Sequence, residues 1–238
     1  MPRYSKQLII VALIIFNFIN AYAQESTQRK QLFDDNWKFY LGDAKGASDI
    51  NFNDKDWRML DLPHDWSIEG EINPKNSMAS EGAFLPGGIG WYRKTFVVPE
   101  AMKGKRISIN FEGVYMNSEV FINGKSLGKR PYGYSDFVYE ITPNINYGTQ
   151  NIISVRVDNS MQTNSRWYTG SGIYRHVWLI ATNPVHIANY GISVTTTDVS
   201  AIKANVEVKT LLKNETNQPQ NVQLKTDYGV TGACCTKR

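Results

Sequence analysis

The sequence predicts an all-β protein made of antiparallel sandwiches, and three observations carry that reading. Apolar and polar residues alternate with a period of two through most of the stretch from Arg29 to Thr182. An Asn-Gly pair, Asn123-Gly124, sits between two apolar runs, which is the strongest short signal for a β-hairpin. No segment sustains an apolar stripe at helical spacing. A sheet with one apolar face must bury that face against another layer, so a sandwich follows.

Taken in order, the clearest strands are three. In Arg106–Glu112, residues Ile107, Ile109 and Phe111 share one face. Ile153, Val155 and Val157 alternate with Ser154 and Arg156, and Val177 and Leu179 alternate with Trp178 and Ile180. Each run has strand length and β-branched or aromatic weight. Glu119–Ile122 and Lys125–Leu127 flank the Asn-Gly turn. One stretch breaks the rhythm. Between Leu62-Pro63-His64-Asp65-Trp66 and Gly90-Trp91-Tyr92-Arg93, more than twenty residues lack periodicity and include Pro74, Gly82, Pro86, Gly87 and Gly88. A loop of that length is either functional or a disordered insertion. A second unit begins near Pro184. Ile192–Thr195, Asn205–Lys209 and Val222–Lys225 read as its strands, with a turn at Asn214–Pro219. Three or four strands fall short of the roughly seven of an immunoglobulin-like sandwich. The portion after Pro184 is therefore expected to be marginally stable. Residues 227–238 lack strand patterning and read as a tail foreign to the fold.

The N-terminus predicts the compartment. Arg3 and Lys6 precede the short apolar run Leu8–Phe16, and Ala21-Tyr22-Ala23 supplies a small-x-small cleavage pattern. Residues 1–23 thus read as a secretory signal peptide cut after Ala23, which places the mature chain outside the cell or in a periplasm. The alternative is a membrane anchor, but the run is short against the ~20 residues a spanning helix needs. Removing residues 1–23 lowers the formal charge from +4 to +2. That balance argues against nucleic acid or a membrane surface as a partner and suits neutral substrates. Cys234 and Cys235 are the only cysteines and cannot staple a domain internally. Stability must come from a hydrophobic core, which about 200 mature residues can build.

The segment Asn164–Arg175 draws most attention. It sets Trp167, Tyr168, Arg166 and Asn164 beside Gly170 and Gly172, between two apolar strands. Aromatic faces stack on the C–H patches of sugars, while Arg and Asn bind hydroxyls. The plainer reading is a Gly-rich connector whose aromatics cap a core. Other chemistries find less support. Glu69, Glu71 and Glu81 all fall in the long loop, but nothing in their spacing sets two carboxylates ~5 Å apart across a sugar, so a solvated loop face is expected. His64, His176 and His186 show no metal-ligand spacing. No nucleophile elbow or phosphate-binding loop is present.

Four ordered motifs resemble one family. Leu62–Trp66, Leu85–Lys94, Phe111–Val120 with Ile122-Asn123-Gly124, and Arg166–Arg175 resemble the N-terminal sugar-binding domain of glycoside hydrolase family 2, in its secreted β-galactosidase branch. The likeness is dense over residues 31–182 and continues weakly to about 226. It implies a jelly-roll β-sandwich over 24–182 and an incomplete immunoglobulin-like sandwich over 183–226. It also implies a parent enzyme, a retaining β-glycosidase whose catalytic glutamates sit in a barrel that this chain does not reach. No catalytic residue is carried over, and neither a cofactor nor a metal is implied. The chain is then expected to be inactive by itself, with a β-linked oligosaccharide or glycan as partner, and the parent enzyme is compatible with a homo-oligomer. Loops of this domain in the family complete the subsite for the non-reducing sugar. The matching positions are Asp65, Asn164, Arg166 and Trp167. Asp65 would accept from sugar hydroxyls, Arg166 would donate to them or orient Asp65, and Trp167 would form an apolar wall. An Asp65–Arg166 pair that merely ties two loops is the structural alternative. A free carbohydrate-binding or adhesion module is the functional one.

Overall fold

The structure is a computed structural model, and it describes residues 29–161 and 167–226. The expected signal peptide, the expected tail, Asn164 and Arg166 lie outside the described residues. Two compact units divide between Ala181 and Thr182.

The first unit is a sandwich. One sheet has six strands in the order β3 (Arg58–Leu60), β2 (Trp37–Leu41), β4 (Gly88–Val97), β9 (Gln150–Asn159), β6 (Ser118–Ile122) and β7 (Lys125–Arg130). All its neighbours pair antiparallel. The other sheet runs β1 (Lys30–Leu32), β10 (Val177–Thr182), β5 (Arg106–Phe111) and β8 (Phe137–Glu140). The alternating apolar faces meet between the sheets. Ile107, Ile109, Phe111, Val177 and Leu179 come from the smaller sheet, and Phe39, Tyr92, Val120, Ile122, Ile153, Val155 and Val157 from the larger. All belong to one buried cluster. Each such side chain contributes about 1.5–3 kcal/mol over its exposed state, so this cluster is what holds the two layers together. The Asn123-Gly124 turn has positive φ at both residues, 48° and 80°, the backbone that a two-residue hairpin between right-twisted strands requires.

The stretch without periodicity between Trp66 and Gly88 is an ordered set of turns. Trp66–Glu69 form one turn of 3-10 helix. Asn73 N–H donates to the Phe84 carbonyl at 3.0 Å, and the Asn76 amide donates to the carbonyls of Glu71 and Phe84. Met78 is buried beneath them. Side-chain-to-backbone bonds order this loop, and they leave no trace in hydrophobic periodicity.

In the second unit, β11 (Val185–Thr197) and β12 (Asn205–Asn214) form one antiparallel pair. Val222–Lys225, expected as a strand, is irregular. Ile192, Val194, Val206, Leu211 and Leu224 stay exposed. Isolated two-stranded sheets are marginal in water for this reason.

Candidate functional site

Two segments about a hundred residues apart zip together at one end of the first unit. His64 N–H donates to the Ile173 carbonyl at 2.8 Å and Trp66 N–H to the Ser171 carbonyl at 3.1 Å. Asp65 stands between these bonds, so its side chain faces the 168–172 loop. Its Oδ1 accepts from the N–H groups of Ser67 at 3.0 Å and Ser171 at 2.8 Å, and its Oδ2 accepts from the Tyr168 hydroxyl. Behind it, Ser67 Oγ lies 2.7 Å from both the Pro86 carbonyl and Ser171 Oγ, and the Asn159 amide donates to Ser171 Oγ at 2.8 Å. With one proton per hydroxyl, Ser67 donates to Pro86 and accepts from Ser171. The relay is fully partnered, which fixes the carboxylate.

Acceptor accounting shows what the carboxylate can still do. An ionised carboxylate offers about four lone-pair positions. Donors among the described residues use three, and the fourth belongs to Oδ2. That oxygen and the Tyr168 hydroxyl form an acceptor pair suited to ligand O–H groups. Burial first, then the hydrogen bond and charge of Asp65, push the Tyr168 phenol far up, so it stays neutral. Trp167, next in the chain, is 78% exposed. Of the four residues expected at the site, the structure brings Asp65 and the Trp167–Tyr168 segment together. Tyr168 was missed because a tyrosine beside a tryptophan in a Gly-rich turn reads as core capping.

A second network flanks Asp65. His64 is buried, with Nδ1 2.7 Å from the Tyr92 hydroxyl and Nε2 2.9 Å from an Arg58 nitrogen. Arginine can only donate, so Nε2 accepts and the imidazole proton sits on Nδ1. Arg58 also holds Glu69 at 2.7 Å. Glu69 is thus not merely part of a solvated loop face, although it remains partly exposed. Burial, reinforced by the Arg58 charge, lowers the His64 pKa below 6.5 against the opposing pull of Glu69. Burial pushes Glu69 up, but the hydrogen bonds and charge of Arg58 outweigh it and hold the carboxyl below 4.5.

Both shifts have the same sign for stability. The unfolded chain takes up protons at these groups before the folded chain does, so stability rises with pH across each window. The His64 share is full above pH 6.5 and is lost as pH falls through its lower folded value. The Glu69 share is full above pH 4.5 and is lost likewise. The melting temperature is therefore expected to fall on acidification from pH 8 to 5, with a shallower fall in His64→Gln. Superimposable slopes for the two proteins would exclude this account.

Residues 31–184 match the sugar-binding domain of the family 2 glycosyl hydrolases. The chain belongs to glycoside hydrolase family 2. Among family 2 relatives, the β-galactosidase BoGH2A of Bacteroides ovatus is 51% identical over 197 residues, covering 83% of this chain and 23% of that protein. A putative β-glucuronidase of Formosa agariphila is 40% identical, covering 92% and 21%. The crystal structure of a β-glycosidase from Bacteroides vulgatus superposes with a TM-score of 0.76 at 46% identity, over 80% of this chain and 25% of that one. The chain spans about a quarter of the length of the curated family 2 relatives it matches.

Proposed function

We propose that this chain is the glycan-binding part of a secreted or periplasmic retaining β-glycosidase of the β-galactosidase type. The observation that carries this is the meeting of the Asp65 carboxylate with the Tyr168 hydroxyl, with the exposed Trp167 next in the chain. Such a set binds hydroxyls on one side and a C–H face on the other. The 51% identity to a β-galactosidase supports galactose as the sugar. The chain by itself does no hydrolysis in this reading. Asp65 already serves three donors and Glu69 serves Arg58, so neither is offered as acid or nucleophile. The proposed parent enzyme carries its acid and nucleophile elsewhere.

Asp65→Asn tests the proposal. Asparagine Oδ1 still accepts from Ser67 and Ser171, so the loops stay tied. The charged acceptor facing the ligand is lost. Affinity of the chain for methyl β-galactoside, and kcat/KM of the parent glycosidase, are expected to fall tenfold or more, about the 1.4 kcal/mol of a charged hydrogen bond. Stability should shift by less than about 1 kcal/mol. Lost stability with unchanged binding would make Asp65 a loop tie and nothing more.

A further inference from the structure

Beside the Asp65 site lies a group of tyrosines that the reading above does not use. Tyr132 and Tyr134 occupy the loop after β7 and are 62% and 55% exposed. Their rings pack edge to face with centroids 5.8 Å apart. Tyr134 also leans on the buried Tyr115 at 5.1 Å. Two glycines make this packing possible. A Cβ on Gly133 would stand 2.9 Å from Tyr115 Cε2, and one on Gly113 would stand 2.7 Å from the Tyr174 hydroxyl. Tyr174 in turn donates to the Gly133 carbonyl at 2.8 Å. The loop is thus clamped from below by two aromatic rings, and it holds Tyr132 and Tyr134 out to solvent.

The platform adjoins the Asp65 site through backbone bonds. Tyr115 and Gly172 exchange both N–H···O bonds at 2.9 Å, and Gly172 follows Ser171, whose N–H Asp65 accepts. Asn117 N–H donates to the Pro131 carbonyl at 3.2 Å, which ties the tyrosine loop to the same rim. Tyr132 and Tyr134, exposed and in contact with each other, present apolar ring area at little cost in side-chain freedom. Burial first, then the charge of and hydrogen bond to Tyr115, raise the Tyr134 phenol, so its hydroxyl stays neutral.

We propose that Tyr132 and Tyr134 form a second sugar contact, an aromatic platform for the next pyranose of a β-linked oligosaccharide whose terminal sugar sits at Asp65. The proposal rests on the sugar-binding reading of the Asp65 site. Two rings set edge to face offer a flat surface and an edge to one pyranose, and the phenol hydroxyls meet its equatorial O–H groups. Because the rings are held before binding, little ordering cost opposes the contact.

The test uses calorimetric titration of the full chain with methyl β-galactoside and with β-1,4-linked galactotriose. The trisaccharide is expected to bind about threefold to tenfold more tightly, the range for an aromatic contact. Tyr132→Ala and Tyr134→Ala should each remove most of that gain and leave the affinity for methyl β-galactoside unchanged. Tyr132→Phe should retain most of it, since the ring is kept and only the hydroxyl contact is lost. Tyr132 supports no buried contact of the clamp, so its variant remains informative even where Tyr134→Ala disturbs Tyr115. A trisaccharide gain that survives Tyr132→Ala overturns the platform. So does monosaccharide binding with no trisaccharide gain, and the Asp65 reading then stands. Binding of neither sugar removes both proposals.

Discussion

Arg93→Met is expected to lower the unfolding free energy by about 3–5 kcal/mol, the range for removing one partner of a buried ion pair. Arg93 lies in the middle of β4 and is 1% exposed. Tyr92 beside it faces the core, so Arg93 faces the outer side of the six-stranded sheet. That side is roofed by residues 42–57. The Arg93 guanidinium holds the roof in place. Its Nε donates to Asp54 Oδ2 at 2.8 Å. Its Nη1 donates to the carbonyls of Ala47 and Asp49 and to Ser154 Oγ. Burial pushes the Asp54 carboxyl up, but hydrogen bonds from Lys38 and Arg93 outweigh that and hold it low. Methionine fills similar volume and satisfies none of these acceptors. Asp54 keeps Lys38 at 2.6 Å, which limits the loss. For a chain of this size the change corresponds to roughly 6–20 °C in melting temperature. Arg93→Lys should recover less than half, because an ammonium on a flexible stem cannot reproduce the planar fork. Urea unfolding measures both variants. A cost below about 1 kcal/mol for Arg93→Met would mean that the roof is held by something else.

What the sequence made legible follows from period and turn chemistry. Ile107, Ile109 and Phe111, and Ile153, Val155 and Val157, are buried as their alternation requires. Asn123-Gly124 turns where it should. The burial of Arg93 and Trp91 was not legible. Alternation assigns one face of β4 to solvent, but in the fold residues 42–57 and, over Trp91, the Phe121 ring cover it. The His64–Tyr92–Arg58–Glu69 network was missed for a related reason. Neighbours in an extended chain face opposite ways, so His64 beside Asp65 suggested no shared site. In the fold they do face apart, and each organises its own side of the 62–67 strip. Trp66 shows the converse. It stands in the motif that resembles a sugar-binding domain, yet it is a core residue. It is 2% exposed, packs on Phe39 and donates to the Gly87 carbonyl. Motif membership does not separate the residues that support a loop from those that face solvent.

The two glycines of the 168–172 loop should separate fold from site. Gly172→Ala is expected to cost about 3 kcal/mol or more. Its φ of +125° lies outside the left-handed helical region that some L-residues tolerate. An added Cβ would stand 2.7 Å from the His64 carbonyl oxygen and press on the Tyr92 hydroxyl and the Trp66 ring. The carbonyl cannot withdraw without breaking the His64–Ile173 and Trp66–Ser171 bonds around it, and Gly172 cannot shift without losing its two bonds to Tyr115. Gly170→Ala meets a different neighbour. Its φ of +71° is close to the left-handed helical region, so backbone strain is about 1 kcal/mol. Its Cβ would stand 2.7 Å from Asp65 Oδ2, the oxygen with the open acceptor position. A carboxylate can rotate away, and the damage then falls on the geometry offered to the ligand. Gly172→Ala should therefore melt at least 6 °C below wild type. Gly170→Ala should melt within a few degrees of it and lose affinity for methyl β-galactoside. Equal melting of the two variants would refute the strain argument at Gly172. Unchanged sugar affinity in Gly170→Ala would show that the ligand does not meet Asp65 Oδ2.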